Sequence, residues 1–96
     1  MQAVIRKYSG NGAKELFDLL EKRQGEVEDL LRSVTGFISY TLAHTDDGGF
    51  TVTVCQGRAG IDESVQVAKD WISKNAADMG VGAPEIIPGD VVLHLT

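Results

Sequence analysis

Gly36-Phe37-Ile38-Ser39-Tyr40-Thr41-Leu42-Ala43-His44 and Phe50-Thr51-Val52-Thr53-Val54-Cys55-Gln56 are two stretches separated by Thr45 and Asp46-Asp47-Gly48-Gly49. In the second, Val52 and Val54 alternate with Thr51, Thr53 and Cys55, and β-branched residues at period two mark a strand. Asp and Gly tolerate positive φ, so Asp46–Gly49 reads as a hairpin turn. The centre of the chain is therefore strand, turn, strand.

Upstream, Leu16, Leu19, Leu20, Val27, Leu30, Leu31 and Val34 form a stripe of 3.6-residue period, which predicts a helix over Ala13–Ser33. Asp18–Lys22 and Glu28–Arg32 have i,i+4 spacing on its polar side. Gly25 interrupts it and predicts a kink or a break there. A turn at Ser9–Gly12 and a strand at Gln2–Tyr8 precede it. Downstream, Gly57–Gly60 reads as a loop and Asp62 as the N-cap of a second helix. Its stripe is Val65, Ala68, Ile72, Ala76 and Met79, and Gly80 ends it. Gly82–Gly89, with Pro84 and Pro88, reads as a loop with room for a short extended piece at Glu85–Ile87. The last strand is placed at Asp90–Leu95.

The order β-α-β-β-α-β predicts an α+β, ferredoxin-like fold in one domain spanning residues 1–96. Its four-stranded antiparallel sheet carries both helices on one face. Ile5, Ile38, Tyr40, Leu42, Phe50, Val52, Val54, Val91, Leu93 and Leu95 are expected toward the helices. The other face is expected to show Val4, Arg6, Tyr8, Phe37, Ser39, Thr41, Thr51, Thr53, Cys55, Val92 and His94. Val4, Phe37 and Val92 put apolar surface on that face, so a homodimer packed through it is expected.

Composition narrows the classes. Nine Lys and Arg against fourteen Asp and Glu give a net charge of −5. That sign opposes binding to a nucleic-acid backbone or an anionic membrane. One cysteine, Cys55, excludes an intrachain disulfide. No apolar run nears the roughly 18 residues of a membrane span, and the N-terminus lacks a signal-peptide pattern, so a cytoplasmic protein is expected.

Val34-Thr35-Gly36-Phe37-Ile38-Ser39-Tyr40-Thr41-Leu42 runs from a helix into a Gly-aromatic strand start and then Ser-Tyr-x-Leu. This segment resembles the dimeric α+β barrel superfamily, and within it the antibiotic biosynthesis monooxygenase-like domains. The resemblance covers the whole chain by element order and nine residues by motif. It implies a homodimer, in a family that often works without a dedicated cofactor. Oxygenases of electron-rich phenols, haem degraders, isomerases and domains of unknown role share the architecture. A haem-degrading relative would carry an axial His on the second helix. Asp62–Met79 has none, so neither haem nor metal is expected.

The chemistry-bearing side chains are few. Trp71 and Asn75, one turn apart on the second helix, and Tyr40 on the second strand are candidates to line a pocket for a small aromatic ligand. Arg6, Tyr8 and His94 are candidates on the opposite sheet face, where they could hold an anionic or phenolic molecule with His94 as base. The ordinary roles of these residues are packing and lining a wet interface. Gly10-Asn11-Gly12 follows a strand and opens a helix, yet it lacks the further glycine and the spacing of a phosphate loop. The functional expectation is a cofactor-independent oxygenase of a small aromatic or phenolic molecule. The alternative is a non-catalytic dimeric domain that binds a small ligand or only packs.

Overall fold

A computed structural model describes residues 1–96. In chain order the elements are β1 (Gln2–Ser9), α1 (Ala13–Lys22), α2 (Gln24–Arg32), β2 (Phe37–Thr45), β3 (Gly48–Cys55), α3 (Arg58–Asn75), a 3₁₀ turn (Ala77–Met79) and β4 (Glu85–Asp90). The strands form one antiparallel sheet in the order β2-β3-β1-β4. The three helices pack on one face of it through Leu16, Phe17, Val27, Leu31, Ile61 and Trp71. This is the expected ferredoxin-like architecture. No helix is long and apolar enough to cross a membrane.

The first predicted helix breaks into two, at Arg23 rather than at Gly25 two residues on. Arg23 has φ −110° and ψ 32° and serves both α1 and α2 as cap. Helix α3 starts at Arg58, earlier than predicted, because extended Gly57 caps it. Asp62 then lies one turn inside and accepts a hydrogen bond from Arg58 Nε at 3.2 Å. Gly36 has φ +67°, a conformation L side chains rarely adopt, and its carbonyl accepts the Gln56 N–H at 2.8 Å. That bond ties the start of β2 to the end of β3.

Two expectations need correction. The fourth strand is Glu85–Asp90, not Asp90–Leu95. It pairs with β1 from Lys7↔Glu85 to Gln2↔Asp90. Pro88 suits it because β4 is an edge strand, where a missing N–H is tolerated. The last bond in this direction runs from the Val91 N–H to the Met1 carbonyl at 3.0 Å. Residues 92–96 have no partner strand, and Val92, Leu93 and Leu95 are 99%, 76% and 83% exposed.

The second correction concerns the sheet faces. The hairpin turns in two residues, Asp46 and Asp47, with Thr45 opposite Gly48 and no positive φ at either Asp. Leu42 therefore pairs with Thr51 and Tyr40 with Thr53. A one-residue slip in register exchanges the faces of a whole strand. Tyr40 and Leu42 do face the helices, but Thr51, Thr53 and Cys55 lie beside them, and Phe50 and Val52 face away. On β1, Val4, Arg6 and Tyr8 lie under the helices, each at most 4% exposed. The free face carries Ile5, paired with both Val52 and Ile87.

Candidate functional site

The face reversal assembles the site. Arg6 and Tyr8 come from β1, Tyr40 from β2 and Thr51 from β3. Under α1, α2 and α3 they line one small cavity with Leu20, Val27, Trp71 and Ile72. Its free volume is about 20 Å³, enough for about one water molecule. Arg6 Nη1 donates to the Tyr8 hydroxyl at 3.2 Å, inside the core. Arg6 Nε and Thr51 Oγ1, on residues opposite each other in the β1–β3 register, have no hydrogen-bond partner. Thr53 Oγ1 is a third buried orphan. A guanidinium cannot discharge, and a buried charge with no counter-ion costs several kcal/mol in general. Burial pushes the Tyr40 hydroxyl above its ordinary pKa, with the Arg6 charge pulling the other way. Tyr40 therefore stays protonated at neutral pH and can donate a hydrogen bond; it is no base.

Trp71 and Asn75 are drawn into a polar network at the α1–α2 break. Trp71 Nε1 donates to Glu26 Oε1 at 2.9 Å. The Arg23 guanidinium stacks over the indole with its carbon 5.0 Å from the ring centroid, and pairs with Glu26 at 2.7 Å. Arg23 Nη1 also donates to Asn75 Oδ1 at 3.0 Å, and Asn75 Nδ2 to the Trp71 carbonyl at 2.9 Å. Trp71 thus lines the cavity, while Asn75 does not reach it and holds the tryptophan and Arg23 in place. The indole N–H, and after it Arg23, lower the Glu26 pKa. A carboxyl so depressed stabilises the fold above its unfolded pKa, and loses that contribution as pH falls through its folded value. Glu26→Gln is accordingly expected to lower the melting temperature at pH 7, and the difference from the parent to shrink steadily in acid, read by thermal melts across a pH series.

His94 does not join Arg6 and Tyr8, a correction to the expected trio. It lies after β4 outside any strand, and its Nε2 is buried without a partner. His44 sits at the edge of the helix layer, where Nε2 meets Glu21 at 2.6 Å. Cys55, expected on the far face, is buried beneath α3, where a Cβ added at Gly60 would lie 3.1 Å from its sulfur. Burial, and then the Glu63 charge, push its thiol pKa up, away from reactivity. At Gly10–Gly12 the chain fills its own loop, since a Cβ on Gly12 would lie 2.3 Å from the Met79 carbonyl oxygen. No three His, Cys, Asp or Glu side chains gather where they could hold a metal ion.

Two openings flank the cavity. A mouth of about 270 Å³ between α3 and β4 shares Arg6, Tyr8 and Ile72 with it, and adds Lys69, Ser73 and residues 81–84. A groove of about 750 Å³ between α2 and β2 shares Tyr40, Val27 and Leu31. Sequence reasoning missed Thr51, Lys69 and the Arg23–Glu26 clamp. The two-residue spacing between Thr45 and Gly48 was the signal that places Thr51 inside.

No family model and no curated protein matches the chain. Solved structures do. A protein of unknown function from Nitrosomonas europaea superposes with a TM-score of 0.72 at 13% identity, over 99% of this chain and 91% of that one. SnoaB from Streptomyces nogalater, a cofactor-independent oxygenase, gives 0.66 at 14% identity over 98% and 95%. The haem degrader MhuD from Mycobacterium tuberculosis, with two haems in its active site, gives 0.66 at 17% identity over the full length of both chains. At such identities the likeness is one of fold. The chain thus has the fold that Val34–Leu42 suggested, the one found in antibiotic biosynthesis monooxygenase-like proteins.

Proposed function

We propose that the helix–sheet chamber receives a small aromatic or phenolic molecule and that the chain acts on it as an oxygenase without an organic cofactor. The observation that carries this reading is the set of buried Arg6, Tyr8 and Thr51 with half-buried Tyr40, gathered around a cavity whose remaining walls are apolar and include Trp71. Few converging polar groups in an apolar enclosure are the usual make-up of a small-molecule site. Trp71, Ile72 and Leu20 offer flat apolar contact to a ring. Tyr40, held protonated, and the unpartnered Thr51 hydroxyl offer hydrogen bonds to its polar edge. An oxygenase of this kind takes its electrons from the substrate, so the protein's task is to orient the ring and exclude water. The shared fold with SnoaB supports the reading.

A second reading, a non-catalytic binding domain, is favoured by the cavity's size, since about 20 Å³ admits a ring only after side chains move. Oxygen uptake on an aerobic panel of small phenols and quinols separates the two. Uptake with at least one compound is expected, falling roughly a hundredfold or more in Tyr40→Phe, the range for losing a positioned proton donor. Binding with no uptake anywhere in the panel would leave the binding domain.

We also infer that the working unit is a homodimer formed through the helix-free face. Thr41, Val52, Ile5 and Ile87 run in a row across all four strands on that side, and Phe50 and Val54 flank the row. The exposed Val92, Leu93 and Leu95 add a second apolar surface that a partner's sheet can cover. Both surfaces occur once per chain, as a two-fold interface requires.

A further inference from the structure

Arg6 is the only ionised side chain among the buried residues. Its single hydrogen bond goes to a neutral hydroxyl, that of Tyr8, and it takes part in none of the four ion pairs of the chain. Its Nε is unpartnered. Arg6 also forms part of the wall of the α3–β4 mouth. There the other charged residue is Lys69, and no carboxylate lines the opening. The α2–β2 groove is of mixed charge, with Glu21 and Glu28 on its walls beside His44 and Arg32. In a chain of net charge −5, the one opening with only cations leads to the one buried cation without a counter-ion.

We propose that the site selects a small planar anion, a ring bearing one carboxylate or ionised phenol oxygen, which enters between α3 and β4 past Lys69 and rests its anionic oxygen on Arg6. This rests on the reading of the chamber as a ligand site and adds the ligand's charge and its route. The bound anion completes the pairing that the fold leaves open. Thr51 lies across the strand pair to share it, and Lys69, exposed at the rim, raises the rate of encounter.

Trp71, the sole tryptophan, lines the cavity and reports occupancy by its fluorescence. The probes are 2-naphthoate and 2-naphthamide, which share a ring and differ in charge, with calorimetry as a second readout. Naphthoate is expected to bind roughly tenfold or more tighter, the scale of one charge-assisted hydrogen bond. Arg6→Met, checked for folding by circular dichroism, should bring the two probes within about twofold of each other. Lys69→Gln, on the surface, should slow naphthoate association a few-fold and reduce its salt dependence, leaving naphthamide unchanged. A third arm, 4-nitrophenol on either side of its own ionisation, separates the sources: tighter binding of its ionised form extends the site to phenolates, and equal binding restricts it to carboxylates. Equal affinity for naphthoate and naphthamide, or a preference that survives Arg6→Met, overturns the anion assignment and leaves the chamber standing. No binding by any probe overturns both.

Discussion

Phe17→Ala is expected to destabilise the fold by about 3–5 kcal/mol, which lowers the melting temperature of a domain of this size by roughly 15–30 °C. Phe17 is fully buried on α1 and packs on Tyr8 at a ring-centroid distance of 5.6 Å. Its seat is Gly49, where an added Cβ would lie 2.2 Å from Phe17 Cδ2 and 2.6 Å from the Ala43 carbonyl oxygen. On that side the ring rests on bare backbone, and Gly49 has no side chain to swing into the space that truncation leaves. Unrelaxed cavities sit at the upper end of the cost range. The complementary change, Gly49→Ala, overpacks the same contact and should cost about 1–3 kcal/mol. In the double variant the new methyl occupies part of the emptied space, so the two losses should sum to less than their separate values. Denaturant melts of the four proteins measure the cycle. Strict additivity would show that Phe17 and Gly49 do not share one packing contact.

The fold was legible because its signals were redundant. Helical stripes, the Asp-Gly turn and β-branched alternation each pointed to the same element order, and any one could have been lost. The site was not, because it depends on register. Strands β1 and β3 are apolar enough on both sides that alternation does not say which side meets the helices. Val4 and Tyr8 compete with Ala3 and Ile5, and Thr51 and Thr53 with Phe50 and Val52. The tie is broken by the length of one turn and by Gly49, whose missing side chain makes room for Phe17 and so sets Tyr8 and Arg6 inward. A charged residue read alone is assigned to solvent, and Arg6 goes against that rule for a reason no local pattern carries. Trp71 and Tyr40 were found because each is already apolar enough for a core. Glu26 and Arg23 were missed because the fold brings them to Trp71 and Asn75 from about fifty residues away, and a sequence pattern of period 3.6 sees only neighbours. The end of the chain misled for a related reason: Val91, Leu93 and Leu95 alternate well, but β1 is already paired to Glu85–Asp90.

Wild-type protein at micromolar concentration is expected to scatter light as a particle of about 20 kDa, twice the 10.3 kDa of the chain, and Val52→Glu as one of about 10 kDa. Val52 sits in the middle of the helix-free face, opposite Ile5 on one side and Thr41 on the other. In a lone chain it is only partly buried, so a glutamate there keeps contact with water and the fold survives. Across a two-fold interface the change acts on both chains. Each places a carboxylate into apolar surface, and near the axis the two repel. Burial of an unpaired charge costs several kcal/mol per ion in general, which exceeds what most micromolar dimers can lose. Circular dichroism should show Val52→Glu as folded as its parent, since its helices pack on the other face. The paired control is Thr41→Ser in the same row, which removes one methyl and should leave the mass near 20 kDa. A wild-type mass near 10 kDa would overturn the dimer outright. A Val52→Glu mass that stays near 20 kDa would move the interface off this face, leaving Ile5, Phe50 and Ile87 as apolar surface without a partner.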